Sequence, residues 1–301
     1  MKLRMATRGS ALALAQSGAM AAALVRRHPG LEVETVRIQT SGDRFSSQTP
    51  QQARGLAQGT KGLFVKEIEE ALADGRADFA VHSAKDLPAE LLAGLVIAAY
   101  PEREDPRDAF IGRGGLTWAQ AGPGTRIGTS SLRRQVQLLA AKPGLVLAPM
   151  RGNVDTRLRK LEAGLCDGLV LALAGLRRLG RTDIIHEPLP EEVVLPAPGQ
   201  GALALEARAD RSEVLGLLAG LDHGPTRLEV EIERAVLKEL GGGCSVPLAA
   251  RAKAREAEAE LSVFFSEPDG SRALRLSSVC RDLAGREAFA RDLVAQVRSR
   301  R

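Results

Sequence analysis

Strand-like and helix-like segments alternate along the first two-thirds of this 301-residue chain, and no other feature constrains the fold as strongly. Apolar side chains recur at helical spacing in one segment, which ends near Gly75, while its neighbours are short apolar runs typical of buried strands. Such alternation is typical of α/β domains with mostly parallel sheets. The segments that carry the pattern are 31–40, 63–78, 79–83, 125–140 and 167–176.

Proline, glycine and charged residues are concentrated at 101–115 and 190–201, which we interpret as domain boundaries. Residues 202–210 resemble a strand again, so we expect the chain to return there to its first domain. The last part differs, because it combines a helix at 226–240, short strands at 260–265 and 272–279 and an amphipathic helix at 285–299. The sequence therefore predicts three domains, formed by residues 1–99 with 200–218, by residues 100–199 and by residues 219–301.

Charge and composition narrow the classes of ligand. The chain has 42 basic and 37 acidic residues, a net charge of +5 that favours anionic ligands but is too evenly mixed for a nucleic-acid tail. One Trp and one Tyr offer few stacking surfaces for single-stranded nucleic acid. Four scattered histidines and three cysteines without a CxxC pair predict neither a metal site nor a disulfide framework.

The sequence also indicates the cellular compartment of the protein. No apolar stretch approaches the roughly 18 residues that a membrane-spanning helix needs. The N-terminal segment has an Ala/Leu run that weakly imitates a signal peptide, but Arg8, Ser10 and Gln16 interrupt or end it. We therefore expect a cytoplasmic protein that does not bind a membrane.

Five loops share one order of residues: an apolar strand, then a hydroxyl group or glycine, then Arg or Lys. Each loop alone is explained as a helix N-cap or a solvated surface. Together they predict a pocket for a molecule with many negative groups, because helix N-termini and guanidinium groups bind carboxylate or phosphate and the strand ends meet at one edge. The residues are Arg8 and Ser10, Ser83 and Lys85, Thr129, Ser130, Ser131, Arg133 and Arg134, Arg151 and Arg157, and Arg177 and Arg178.

Two further residues stand out chemically. Asp86 is a carboxylate among cations; a structural salt bridge would explain it, but so would a group that stabilises a developing cation or moves protons. Cys244 follows three glycines and lies near a proline, a turn with little bulk that would expose its thiol or allow a tether. Cys166 and Cys280 lack that setting, and we expect them to be structural.

The motifs resemble, in order, those of the porphobilinogen deaminase (hydroxymethylbilane synthase) family. The resemblance covers nearly the whole chain and is densest between residues 61 and 201. Its motifs are ATRGSALALAQ, KGLFVKEIEEAL, FAVHSAKDLP, EREDPRDAF, IGTSSLRRQ, RGNVDTRL, LALAGLRRL, LPAPGQGAL and GGGCSVP.

This resemblance implies a transferase of tetrapyrrole biosynthesis, of the haem and chlorophyll type. Such an enzyme joins porphobilinogen units head to tail with loss of ammonia and releases linear hydroxymethylbilane. It implies a dipyrromethane cofactor bound by a thioether to Cys244, a catalytic Asp86 that stabilises the cationic azafulvene left by ammonia, and no metal. It also implies a monomer with two α/β domains like those of periplasmic binding proteins around a cleft, plus a small α+β C-terminal domain.

The remaining site residues also follow from motif position. The resemblance places two groups of side chains around the acetate and propionate groups of the pyrroles. Cofactor binding falls to Ser83, Lys85, Thr129, Ser131, Arg133, Arg134 and Arg157, and substrate binding to Arg8, Ser10, Lys61, Arg151, Arg178 and Gln200.

The chain departs from the family in one segment. Residues 44–60 form a longer connection than expected, rich in Gln, Ser and Gly, which we interpret as a lid. Ala57 stands where the family often has a second lysine, four residues before Lys61.

Two alternatives stay open at the level of sequence. A non-catalytic anion-binding protein of the periplasmic type would share the two-domain architecture, but it needs neither Asp86 nor an accessible Cys244. A nucleic-acid-binding protein would account for the arginines but not for a carboxylate among them.

Overall fold

The computed structural model describes residues 1–41, 65–181, 183–184, 186–241 and 246–300. The predicted lid at 44–60, Lys61 and Cys244 lie outside the described residues. The chain divides into two compact units, Met1–Glu104 with Ala202–Leu228 and Asp105–Gly201 with Glu229–Arg301.

The described strands and helices are distributed along the whole chain. The first half contains β1 (Lys2–Arg8), α1 (Ala11–Arg27), β2 (Glu32–Ile38), α2 (Lys66–Ala73), β3 (Phe79–Ser83), β4 (Leu95–Ala99), β5 (Asp108–Gly112), β6 (Arg126–Gly128), α3 (Leu132–Ala141) and β7 (Val146–Ala148). The second half contains α4 (Val154–Glu162), β8 (Gly168–Ala172), α5 (Leu173–Arg178), β9 (Glu187–Pro188), β10 (Leu203–Arg208), α6 (Ser212–Ala219), α7 (Gly224–Glu239), β11 (Leu248–Ala254), β12 (Ala259–Phe265), β13 (Leu274–Cys280) and α8 (Arg286–Ser299).

The first unit is built on a five-stranded sheet in the order β2-β1-β3-β10-β4. Strands β2, β1 and β3 are parallel, and β10 runs antiparallel to both β3 and β4. The strand predicted at 202–210 is therefore present and pairs within this sheet. Its core packs β3 residues Phe79 and Val81 against Met5 of β1 and Leu205 of β10.

The second unit contains a five-stranded sheet in the order β7-β6-β8-β5-β9. Strands β6, β7 and β8 are parallel, whereas β5 is antiparallel to β8 and β9. Gly168 begins β8 directly over the Phe110 ring, where an added Cβ would lie 2.3 Å from a ring carbon. Glycine at this position leaves room for the Phe110 ring.

The prediction of mostly parallel sheets is wrong for about half of each sheet. Each sheet has three parallel strands at one side and antiparallel pairing at the other. In the first sheet the physical reason is the path of the chain, because β10 returns from a distant segment and enters between β3 and β4 in the opposite direction. In the second sheet, β5 comes before the three parallel strands in the chain and pairs antiparallel with both β8 and β9.

The second unit also contains the three-stranded antiparallel sheet β11-β12-β13. The two predicted strands and both predicted helices of this part are present, and a third strand, β11, was not predicted. Its residue Ala249 packs with Phe264, Val136 and Leu195, so this sheet shares a small core with the rest of the unit. The α/β class with a small C-terminal α+β part is confirmed.

Long apolar helices are missing from the described part of the chain. No helix there combines the length and the hydropathy that crossing a membrane requires.

Candidate active site

The edge of the first sheet carries the predicted residues of the first unit. Strands β1 and β3 are parallel neighbours, so Arg8 and Ser83, their last residues, lie at the same edge. Ser10 then begins α1 as its N-cap, and its hydroxyl accepts a hydrogen bond from the Ala13 N–H at 3.3 Å. The capping role that the sequence allowed for Ser10 is thus present in the structure. The hydroxyl of Ser83 lies 3.3 Å from the side-chain amide of Gln16.

Asp86 lies on a single turn of 3₁₀-helix, Ala84–Asp86, that follows β3 directly. Ala84 and Leu87 on either side of it are 2% and 3% exposed, and the Ala84 N–H donates to the Ala202 carbonyl at 3.0 Å. Between these anchors Asp86 is exposed and Lys85 is half-buried. The backbone is therefore fixed while the carboxylate stays accessible to a ligand.

The second sheet brings the other predicted loops to a common edge. Because β6, β7 and β8 are parallel, the loops that follow them begin at the same side of the sheet. After β6, the Thr129 N–H donates to the Ala148 carbonyl at the end of β7, at 3.0 Å. The Thr129 hydroxyl accepts the Ser131 N–H at 3.2 Å. Ser131 occupies the N-cap position of α3, but its side chain makes no capping hydrogen bond.

Two arginines at the start of α3 converge on one buried carboxylate. Arg133 Nη1 lies 2.7 Å from Asp108 Oδ2, and Arg134 Nη2 lies 2.7 Å from Asp108 Oδ1. Gln200 Nε2 donates to the same Oδ1 at 2.9 Å. We call these four residues the aspartate clamp: Asp108, Arg133, Arg134 and Gln200. Burial opposes ionisation of Asp108, but the two guanidinium groups outweigh it and hold the pKa of this carboxyl well below its usual range.

Arg157 on α4 adds a third guanidinium close to the clamp. Burial lowers the pKa of Arg157 to about 10, and the positive charge of Arg134 contributes to that shift. Its Nε donates to the Gly152 carbonyl at 2.7 Å. Within the described part of the chain, no carboxylate lies at ion-pair distance from Arg157. Of these three guanidinium groups, two are paired with Asp108 and the third has no described carboxylate partner, so the group carries an excess of positive charge that favours a bound anion.

The remaining predicted residues of the second unit are placed differently. Arg178 lies on α5 and donates through Nη2 to the Gly201 carbonyl, so the loop predicted after β8 is a helix instead. Arg151 is exposed, and its carbonyl accepts from Lys160 Nζ at 3.0 Å. Gln200 is 1% exposed and also donates to the Pro106 carbonyl at 2.7 Å. None of these contacts tests whether the three residues bind a ligand, so their ligand-binding roles remain predictions.

The two cysteines expected to be structural are buried, with Cys166 0% and Cys280 2% exposed. Burial raises the pKa of both thiols. Neither is therefore suited to react at neutral pH.

Asp108 is the main residue of the site that the sequence analysis missed, since it assigned no role to this carboxylate. Its signal was present in the motif EREDPRDAF, where a carboxylate stands at the first residue of an apolar strand. Sequence alone gave no indication that Arg133 and Arg134 would both bind it.

The fold and this cluster define the chain as an α/β protein with three neighbouring guanidinium groups, two of them buried and paired with one carboxylate. Two family models match the chain: "Porphobilinogen deaminase, dipyromethane cofactor binding domain" over residues 3–216 and "Porphobilinogen deaminase, C-terminal domain" over residues 227–298. The chain belongs to the porphobilinogen deaminase family.

Curated relatives agree with this assignment. The porphobilinogen deaminase of Sorangium cellulosum is 49% identical over 91% of this chain and 90% of its own length. That of Roseiflexus castenholzii is 47% identical over 97% of this chain and 95% of its own length. Among solved structures, the methionine-binding protein MetQ is similar with a TM-score of 0.43 and 12% identity, covering 79% of this chain and 94% of that one. That likeness is too low to carry an argument about function.

Family membership establishes the enzyme class. The chain is a porphobilinogen-deaminating transferase of tetrapyrrole synthesis with a dipyrromethane cofactor. The alternative of a non-catalytic anion-binding protein is set aside.

Proposed function

We propose that the guanidinium groups of the second unit hold the pendant carboxylates of dipyrromethane, with Cys244 as the covalent attachment. One observation carries this proposal. The three guanidinium groups of Arg133, Arg134 and Arg157 outnumber Asp108, the one described carboxylate that pairs with any of them. A buried cation is stable only when it is compensated, and a bound anion would supply that compensation.

The residues present fit the cofactor. Each pyrrole of dipyrromethane bears an acetate and a propionate, so the group is a polyanion of the size that several arginines can bind. Thr129 and Ser131 lie at the start of α3, where backbone N–H groups and the helix dipole add further attraction for anions. Ser83 and Lys85 supply a hydroxyl and an ammonium group in the first unit. Cys244 completes the proposed cofactor-binding set and lies outside the described residues.

We assign the chemistry to Asp86. When bound, dipyrromethane supplies the primer to which porphobilinogen units are added. The Asp86 carboxylate is exposed on a fixed turn, as a group that meets substrate must be. It stabilises the positive charge that develops on the substrate as ammonia leaves, and it moves protons. In this proposal the incoming substrate is bound by Arg8, Ser10, Arg151, Arg178 and Gln200, together with Lys61, which lies outside the described residues.

The wider organisation remains proposed as well. We propose three domains with the predicted boundaries, supported by the pairing of β10 within the first sheet and by separate family models for residues 3–216 and 227–298. We propose a cytoplasmic monomer that binds porphobilinogen and neither nucleic acid nor membranes.

Cys244→Ser tests the covalent attachment. We expect this variant to fold normally, to lack dipyrromethane and to lose essentially all formation of tetrapyrrole, because a hydroxyl cannot replace a thiolate as the nucleophile. The measurement is tetrapyrrole formation from porphobilinogen together with the thermal unfolding midpoint.

Cys280→Ser is the matched control, since its Sγ donates only to the Asp282 carbonyl at 3.2 Å, a bond that a serine hydroxyl can replace. Normal turnover by Cys244→Ser would contradict the assignment.

A further inference from the structure

The backbone of Asp108 is fixed on both sides in the second sheet, between β8 and the edge strand β9. It is the first residue of β5, where it pairs with Ala172 of β8, and its carbonyl accepts the Leu189 N–H at 2.8 Å beside β9. Its side chain is 0% exposed. The carboxylate therefore has little freedom to move.

Arg133 and Arg134 are consecutive residues of one helix, so their side chains leave the helix axis about 100° apart. They nevertheless reach the same carboxylate, because Arg133 uses Oδ2 and Arg134 uses Oδ1. Each guanidinium group also donates to a backbone carbonyl. Arg133 Nη1 donates to the carbonyl of Leu195 at 2.7 Å, and Arg134 Nη1 donates to that of Val170 at 3.1 Å. Each guanidinium group is thus held from at least two sides.

We propose that Asp108 is a positioning residue for the cofactor. It fixes the positions of the Arg133 and Arg134 guanidinium groups, and the three side chains together carry a net charge of +1. The proposal rests on the proposed function, in which this arginine pair binds dipyrromethane carboxylates. Carboxylate binding by guanidinium groups depends on geometry, and a pair that is already fixed loses little freedom when the ligand arrives. Asp108 itself does not touch the cofactor.

Gln200 supports the same arrangement. Its side-chain amide donates to Asp108 and to the Pro106 carbonyl, and the N–H of the preceding Gly199 donates to Glu233 Oε2 at 2.6 Å. The Gly199–Gln200 segment is therefore held by two carboxylates, that of Glu233 at its backbone and that of Asp108 at its side chain. Asp108 therefore connects the start of α3 to the segment that carries a proposed substrate ligand.

A purely structural ion pair would give the same contacts, so stability and cofactor assembly must be measured separately. Asp108→Asn removes the charge, whereas Asp108→Glu keeps it and moves it by up to about 1.5 Å, the length of one carbon–carbon bond. Asp167→Asn is the matched control, because Asp167 is also paired with two arginines of the second unit, Arg126 and Arg113.

Each variant is prepared without cofactor, and porphobilinogen is added while intact mass reports dipyrromethane attachment over time. We expect Asp108→Asn to melt at a clearly lower temperature and to load poorly. Asp108→Glu should melt close to wild type yet load at least about 10-fold more slowly, since a displacement of about 1 Å can cost 10²-fold. Asp167→Asn should load at the wild-type rate.

The outcomes distinguish the inference from the function it rests on. Wild-type loading by a folded Asp108→Glu or Asp108→Asn protein would overturn the positioning role alone. Failure of both variants to fold would overturn it too, because Asp108 would then act on stability alone. A wild-type chain that never acquires dipyrromethane would instead overturn the proposed function.

Discussion

Asp86→Asn is expected to keep its fold and its cofactor while turnover falls by about 10²- to 10³-fold, the typical effect of removing one group that stabilises charge in a transition state. The amide has the shape of the carboxylate but carries no charge to oppose the cation that forms when ammonia leaves. Stability should hold, because Asp86 is exposed and the buried neighbours Ala84 and Leu87 fix the turn.

The measurement is the rate of tetrapyrrole formation by purified protein whose mass confirms the bound cofactor. Glu90→Gln is the matched control, an exposed carboxylate four residues further along the same segment, and it should turn over as wild type does. Turnover by Asp86→Asn within a factor of two of wild type would remove Asp86 from the mechanism.

Arg157→Ala should separate stability from ligand binding. The folded protein holds this guanidinium half-buried, and its lowered pKa of about 10 reflects the cost of that burial beside Arg134. No described carboxylate compensates the charge, so its removal should leave the melting temperature unchanged or higher. Attachment of dipyrromethane should become about 10- to 100-fold slower, because a hydrogen bond to a charged group contributes about 1.5–3 kcal/mol.

Arg159→Ala is the control for this variant. Arg159 lies on the same helix, α4, is exposed, and donates to the Thr156 hydroxyl at 3.3 Å. Its removal should change neither melting temperature nor loading. A strongly destabilised Arg157→Ala protein that still loads at the wild-type rate would show that Arg157 is structural.

Local features of the fold could be predicted from the sequence because short-range patterns determine them. The apolar run at 79–83 is strand β3, and the final helix lies within one residue of its predicted position. The helix predicted within 63–78 is present as α2 and ends two residues before the positive-φ Gly75. Strand direction could not be predicted, because it depends on where a distant segment such as β10 enters the sheet. Strand β11 was missed because its sequence, LAARAKA, is rich in alanine and lacks the β-branched residues that mark strands.

The residues of the candidate site also divide into those that the sequence predicts and those that only the fold brings together. Residues at strand ends could be named because parallel strands place their carboxyl ends at one edge, and the structure does so in each unit. The aspartate clamp could not be named, because its side chains come from positions 25, 26 and 92 residues away from Asp108. Sequence identifies a guanidinium group, but only the fold shows that Arg133 and Arg134 are held by a buried carboxylate while Arg157 is not.

The intact mass of the wild-type chain, purified without added cofactor and followed by peptide mapping, tests the central claim most directly. We predict that the mass exceeds that of the sequence by one dipyrromethane and that the addition lies on the peptide containing Cys244. An active chain of unmodified mass, or the same addition on Cys166 or Cys280, would contradict a cofactor tethered at Cys244 and held by the guanidinium groups.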